Sequence, residues 1–365
     1  MNTSPRPLVS VIMAARNVAP FITASVKSIL SQSLTNLECI VIDDGSTDQT
    51  REILERHAAR ERRLRMVSRE ESGLPASLNA AWALARGRYL ARMDADDISL
   101  PRRLEKQVGF LEAHPNIGIC GTWSRTFGAF PWRLVRPFTD DSRIRCEMLF
   151  NNPLAHPTVM MRREILDRLG GYDKTVIYGE DYALWAKSLP VTKFANIPET
   201  LLLYRRHSQQ MGSTHTQKAQ EQENKATQAV MLGILGFHPR PEDLEVHFRL
   251  SRCQGYLGRP PQTVEFLRRV DAWLHSLKTA NAKRSIFPEP HFTHTLARYW
   301  FLACRACPTL GHTAWTIQRQ SDLATWYRPG WTPRWSFWLD CLARRRVFPN
   351  IPYKILMRLL ATRPS

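Results

Sequence analysis

The first hundred residues alternate short apolar runs with helical stretches, and nothing else in the chain limits the fold as strongly. Leu8–Ala14 (LVSVIMA) and Glu38–Asp43 (ECIVID) are continuous apolar runs rich in β-branched residues, a pattern that predicts buried strands. Pro20 opens a helical stretch over Phe21–Leu30, and the turn residues Asp44-Gly45-Ser46-Thr47-Asp48 lead into a helix over Gln49–Arg60. A third strand over Leu64–Ser68 precedes a helix over Leu74–Ala85, which Gly87 stops, and Arg88–Met93 forms a fourth strand. Such alternation with short loops predicts an α/β fold built on a mostly parallel sheet.

Ligands bind such sheets beyond the carboxyl ends of the strands. Three of these strands are followed by Arg16-Asn17, Asp43-Asp44 and Asp94–Asp97. Polar and acidic groups far apart in sequence therefore converge on one edge. Further along, Leu104–Ala113 and Glu180–Ser188 read as helices, Ile117–Thr122 and Leu201–Tyr204 as strands, and residues 123–160 as mixed with loops. From about Thr216 the pattern turns helical, over Gln217–Leu235, Pro241–Gly255, Pro261–Leu277 and His291–Ala306. A polar stretch at 210–216 marks the boundary, giving an α/β domain over 1–212 and a helical region over 213–365.

Charge separates the two regions. The formal net charge is +18, which implies an anionic partner: nucleic acid, an acidic membrane surface or a phosphorylated substrate. Residues 281–365 hold 13 Lys/Arg against 3 Asp/Glu and six of the eleven Trp. Within 315–360, Trp and Arg interleave through Trp326, Trp331, Trp335, Trp338 and Arg344-Arg345-Arg346, followed by the amphipathic segment Ile351–Leu360. Rings at headgroup depth with cations on anionic lipid would suit a membrane surface; a bundle with its Trp inside and Arg outside is the competing reading. Seven Cys at irregular spacing suit a reducing compartment, and Cys304-Arg-Ala-Cys307 has no second pair. With no signal peptide and no apolar run of about 18 residues, the expected location is cytoplasmic, at most peripheral to the inner face of the membrane.

The acidic turn LARMDADDISLP carries the chemistry. Asp94 and Asp96 form a D-x-D pair at a strand end, a set of hard oxygens suited to Mg²⁺ or Mn²⁺ shared with substrate phosphates. Asp97, followed by Ser99 and Pro101, also suits the N-cap of the next helix. That reading accounts for Asp97 but not for all three carboxylates. Glu180-Asp181 at a helix start are favoured by the helix dipole whatever their function.

VSVIMAARN, IVIDDGSTDQT, GLPASLNAAWALARGRYLARMDADD, HPTVMMRREIL and GGYD…YGEDYALW, in this order over about residues 7–208, resemble the inverting family 2 glycosyltransferases. The resemblance implies the GT-A fold, a Rossmann-like, mostly parallel sheet with flanking helices, and a metal-dependent transfer from a nucleotide sugar. Asp44 would bond the donor base, with Asp43 beside it; Asp94 would lie near the ribose or the metal; and Asp96 would ligate the metal. Asp181 matches the general base. Arg92 and Asn79 are placed with the nucleotide-sugar-binding residues, and Glu180, His156, Arg205 and His207 are candidate acceptor or diphosphate contacts. His156 is equally suited to a structural role, and the Tyr204–His207 run to a solvated basic loop.

Three positions depart from the family pattern. Ala14 and Arg16 stand where relatives often carry Ser or Thr and Tyr. Leu78 stands where many carry Arg, which leaves Arg92 or Arg205 to face the phosphates. The implied donor is a UDP-sugar and the implied acceptor a glycan or lipid-linked saccharide in bacterial polysaccharide or lipopolysaccharide synthesis. A basic nucleic-acid-binding protein would match the charge but leaves Asp44, Asp94, Asp96 and Asp181 without a role, so no nucleic acid is expected. A nucleotidyltransferase on a similar sheet remains an alternative. A dinucleotide-binding dehydrogenase does not, because the first strand-to-helix turn, AARNVAP, contains no Gly.

Overall fold

A computed structural model of the chain describes residues 6–129, 131–208, 217–254 and 261–331, together with 333, 335, 337 and 338. The chain divides into two compact units, residues 1–227 and 228–365. The boundary expected at 210–216 lies outside the described residues.

The first unit is built on strands β1 (Val9–Ala15), β2 (Leu37–Asp44), β3 (Leu64–Arg69), β4 (Tyr89–Asp94), β5 (Ile98–Ser99), β6 (Ile117–Gly128), β7 (Leu134–Val135), β8 (Met160–Arg162) and β9 (Lys193–Arg206). They form one sheet in the order β3-β2-β1-β4-β8-β6-β9-β5, with β7 paired to β6. β1 to β4 are mutually parallel, β8 runs antiparallel between β4 and β6, and β9 is parallel to β6. The carboxyl ends of β1, β2, β3, β4, β6 and β9 therefore point the same way. Helices α1 (Ala19–Leu30), α2 (Thr50–Ala58), α3 (Leu74–Leu84), α4 (Arg103–Ala113), α5 (Asp141–Met148), α6 (Arg163–Leu169) and α7 (Glu180–Ser188) connect them.

The apolar runs form the sheet because both faces are covered. Every residue of β2 is buried, and Val11, Ile12, Ile40 and Val41 are fully so. Each such side chain contributes about 1.5–3 kcal/mol by leaving water. Parallel strands buried on both faces read as continuous apolar sequence, as these do.

α3 ends at Leu84, within one residue of the expected end, and Gly87 beyond it also serves a close approach: a Cβ there would lie 2.5 Å from the backbone nitrogen of Ser10 on β1. Two expectations need correction. The late strand is far longer than Leu201–Tyr204 because β9 pairs with β6 along almost its whole length. Asp97 caps no helix. α4 begins at Arg103 with Arg102 at its N-cap, and its Leu104 N–H is taken by the side-chain oxygen of Gln32, from just beyond α1, at 3.1 Å.

The second unit is helical among the described residues: the end of α8 (Gln217–Ile234), then α9 (Pro241–Ser251), α10 (Val264–Arg284), α11 (His291–Arg305), α12 (His312–Gln320) and α13 (Leu323–Trp326). Phe292, Leu296, Trp300 and Cys304 lie on one buried face of α11. The Trp residues divide. Trp300 is fully buried and donates to the Gln318 carbonyl at 3.1 Å, whereas Trp326, Trp331 and Trp335 are 47%, 69% and 42% exposed. Cys304 and Cys307 are both buried thiols. No helix among the described residues is long and apolar enough to cross a membrane. The basic segments at 341–347 and 351–360 lie outside the described residues.

Candidate active site

Strand register assembles the site. Asp43 on β2 is the partner of Ala15 on β1, and Asp94 on β4 is the partner of Ala14, so both carboxylates flank the end of β1. Asp43 is bonded by the Ser68 hydroxyl at 2.9 Å. Asp44 accepts three hydrogen bonds at 2.9 Å, from the Ser72 N–H, the Ser72 hydroxyl and the Gly73 N–H. The loop entering α3 is thus pinned to the end of β2. Asn17, at φ 51°, accepts from the Thr47 N–H at 2.8 Å and ties the β1 turn to the loop before α2. Arg16 reaches the same loop as Asp44 and forms a two-pronged ion pair with Glu71.

The acidic turn follows β4 directly. Asp94, Asp96 and Asp97 each offer an oxygen within 4.8 Å of the others. The end of β9 packs onto this turn. Arg205 donates its backbone N–H to Asp97 at 2.8 Å and its Nε to the Asp96 carbonyl at 2.7 Å, and its guanidinium lies over the rings of Phe21 and Phe127. His207 Nε2 lies 2.8 Å from Asp96 Oδ2. Asp97 is fully buried, and its Oδ2 has no hydrogen-bond partner. Burial, then the charges of Asp94 and Asp96, raise its pKa well above the usual carboxylate range.

A second group of polar residues lies behind Arg92. This buried guanidinium sits with Nη1 2.6 Å from Asp94 Oδ2, while its Nε has no hydrogen-bond partner. Burial opposes its charge, but the Asp94 carboxylate more than offsets this and its pKa ends above normal; Glu180 adds to the same effect. Glu180 and Asp181 open α7 after Gly179, whose φ of 94° lets the chain turn into the helix. His156, in the 3₁₀ turn His156–Thr158, has Nδ1 3.2 Å from Glu180 Oε1 and Nε2 2.9 Å from the Tyr172 hydroxyl. Burial, then the charge of Arg92, push its pKa down to about 3. The ring is thus held neutral, with Nδ1 facing the Glu180 carboxylate and Nε2 hydrogen-bonded with the Tyr172 hydroxyl.

Asp181 is partly buried. Its Oδ2 accepts from Asn152 Nδ2 at 2.7 Å and its Oδ1 from the Tyr182 N–H at 2.7 Å. Burial, then the neighbouring Glu180 carboxylate, raise its pKa, and His156 together with those two hydrogen bonds moderates the rise. Such a carboxylate is a stronger base than one in water.

The sheet edge thus brings together Asp43, Asp44, Arg92, Asp94, Asp96, Arg205 and His207. His156, Glu180 and Asp181 form the adjoining group. Asn79 is engaged elsewhere: its amide accepts the Tyr172 N–H and donates to the Tyr172 carbonyl, both at 2.8 Å, and so holds the segment that carries Tyr172. Sequence reading passed over Tyr172, Asn152, Ser72 and Gln32. Tyr172 lies inside the quoted GGYD motif, whereas the other three had no signal beyond their ability to hydrogen-bond.

The sequence pattern of "Glycosyl transferase family 2" matches residues 10–170. An uncharacterized glycosyltransferase of Haemophilus influenzae is 35% identical over 237 residues, covering 60% of this chain and 72% of its own length. The O-antigen biosynthesis glycosyltransferase WbnJ of Escherichia coli is 32% identical over 208 residues, covering 55% and 80%. Among solved structures, S. aureus TarS in complex with UDP-GlcNAc superposes with a TM-score of 0.57 at 16% identity, covering 87% of this chain and 90% of that one. The mostly parallel sheet with its flanking helices is accordingly the GT-A fold. The chain belongs to glycosyl transferase family 2.

Proposed function

We propose that this glycosyltransferase moves a sugar, with inversion, from a nucleotide-sugar donor, specifically a UDP-sugar, to a hydroxyl of a glycan or lipid-linked acceptor in bacterial surface-polysaccharide synthesis. The observation that carries this reading is the pairing of two carboxylate groups across Arg92: the Asp94–Asp97 cluster at the end of β4, and Asp181 with a raised pKa at the start of α7. The name of WbnJ supports the pathway class, and the UDP-GlcNAc bound to TarS supports the donor class.

In this mechanism the Asp181 carboxylate takes the proton of the acceptor hydroxyl as that oxygen bonds to the anomeric carbon. The bond from that carbon to the diphosphate breaks on the opposite face, and its electron pair leaves with the nucleoside diphosphate. One displacement inverts the configuration. A positioned base typically supplies roughly 10²–10⁴-fold. Asp44 and Asp43 shape the base-binding end of the donor site, Asp44 through its hold on Ser72 and Gly73. Arg92 and Arg205 supply positive charge near the phosphates.

The clustered hard oxygens, with the buried and unpartnered Asp97 Oδ2 among them, fit a divalent ion. Asp94 and Asp96 would hold Mn²⁺ or Mg²⁺, which supplies charge neutralisation of the departing diphosphate. The exposed Trp residues of the second unit, with the net positive charge of residues 281–365, support docking on an anionic membrane at the cytoplasmic face. Residues 1–212 form the catalytic domain in this reading.

A thermal-shift screen of nucleoside diphosphates and nucleotide sugars with Mn²⁺ identifies the donor, because a ligand that binds only the folded state raises its apparent stability. Asp181→Asn is expected to keep the donor-induced shift and lose transfer. Wild-type transfer by that variant would refute the base assignment.

A further inference from the structure

Asn152 lies in the loop between α5 and the 3₁₀ turn that carries His156, four residues before that histidine. Its Nδ2 donates to Asp181 Oδ2 at 2.7 Å, and its Oδ1 accepts the Leu154 N–H at 3.2 Å. The second bond fixes the orientation of the amide: with an N–H donor on one end, only the NH₂ end can face the carboxylate. Pro153 follows directly and restricts the Asn152 backbone to extended conformations. The Pro153 carbonyl accepts in turn from buried Asn196 on β9 at 3.4 Å. The donor that meets Asp181 is therefore mounted on a constrained loop.

We propose that Asn152 is the positioning residue for Asp181, presenting a neutral hydrogen-bond donor that holds the carboxylate in its ionised, proton-accepting form and fixes its rotation towards the acceptor. This rests on the reading of Asp181 as the base. Two donors, Asn152 Nδ2 and the Tyr182 N–H, each occupy one carboxylate oxygen and leave each oxygen a lone pair. The carboxylate plane is thereby set before any acceptor arrives. Burial and the neighbouring Glu180 carboxylate favour the neutral form of Asp181, whereas His156 and the two hydrogen bonds favour the ionised form. Of these, the Asn152 amide is the one side chain hydrogen-bonded to the carboxylate, and it is uncharged at any pH. The buried Arg92 is paired with Asp94. A hydrogen-bond donor that carries no proton of its own to lose is what such a base requires.

The test is a carbon-13 titration of the Asp181 carboxyl in the ligand-free full chain, its resonance assigned by its absence in Asp181→Asn. Asn152→Ala is expected to raise the Asp181 pKa by about one pH unit. Asn152→Asp, which keeps the shape but replaces the donor by a second carboxylate, is expected to raise it further. In UDP release from UDP-GlcNAc or from a donor selected by thermal shift, kcat should fall tenfold or more in Asn152→Asp with the donor KM unchanged. A role confined to shape would leave Asn152→Asp like the wild type, and an Asp181 titration identical in both overturns the proposal. Should Asn152→Ala fail to fold, the isosteric variant alone decides. Transfer retained by Asp181→Asn would instead overturn the base assignment beneath it, so the two failures are distinguishable.

Discussion

The carboxylate of Asp97 accepts the backbone N–H of Arg205 at 2.8 Å, joining two residues 108 positions apart. It continues the ladder in which Ile98 and Ser99 of β5 pair with Leu203 and Leu202 of β9. The side chain acts as one more rung, and it brings the β9 end against the acidic turn. Asp97→Ala removes this hydrogen bond and should cost about 0.5–1.5 kcal/mol. Asp97→Asn keeps an acceptor for that N–H and removes the ionisable group beside Asp94 and Asp96, so its urea midpoint should match or exceed the wild type. Equal losses in the two variants would show that charge, not the rung, matters.

That rung explains why sequence reading misplaced Asp97. An Asp two residues before Ser99 and four before Pro101 carries the local chemistry of a helix start, and only the pairing of β5 with β9 redirects it. The strands β1 and β2 were legible because each is buried on both faces and writes that burial as a nearly continuous apolar run, whereas edge strand β3, LRMVSR, is mostly half-buried. Asp43, Asp94 and Asp96 were legible for a related reason: a polar residue ending such a run must emerge at the sheet edge. Partners such as Gln32 for α4, or Asn152 for Asp181, lie in segments whose sequence is compatible with many loops. Their roles depend on tertiary distance, which no local pattern encodes.

Metal dependence is expected to reside in Asp94 and Asp96. With UDP present, Mn²⁺ should raise the melting temperature of the wild-type chain, and a chelator should reverse the rise. Asp96→Ala should fold, keep its unliganded melting temperature within a few degrees, and lose the Mn²⁺-dependent part of the rise. A full Mn²⁺ response in Asp96→Ala would place the ion elsewhere.

His156 gives the folded state a pH dependence of definite sign. Its pKa is held down to about 3 by burial, then by Arg92, below the ordinary value of 6.5. Between these values the unfolded chain binds more protons at this position, so stability contributed here is present above about pH 6.5 and lost as pH falls towards 3. Over that window the loss runs at about 1.4 kcal/mol for each pH unit. The raised pKa values of Glu180 and Asp181 act in the opposite direction over the acid range, so the comparison must be differential. His156→Gln retains a hydrogen-bonding side chain without the titration. The decline in its urea midpoint from pH 7 to 4 should be shallower than that of the wild type; parallel curves would mean that His156 is not the titrating group.

The exposed Trp residues of the second unit make the membrane reading testable without shortening the chain. Trp331 and Trp335 meet edge to face at 5.5 Å, and Trp335 and Trp338 likewise at 5.1 Å, so three indoles adjoin one another while Trp331 and Trp335 remain open to solvent. Trp326 nearby in sequence is 47% exposed and carries the Lys278 ammonium over its ring. Indoles placed beside cations match the chemistry of an anionic lipid surface, where ring and charge both find partners. Full-length protein should float with vesicles containing phosphatidylglycerol, bind less well as salt rises, and show a blue shift in Trp emission on binding. The double variant Trp331→Ser/Trp335→Ser should lower vesicle binding by about tenfold or more, given that each fully buried aromatic contributes about 1.5–3 kcal/mol, while UDP-induced thermal shifts stay as in the wild type. Unchanged flotation in that variant, or equal binding to vesicles of neutral phosphatidylcholine, would assign these indoles to something other than an anionic bilayer.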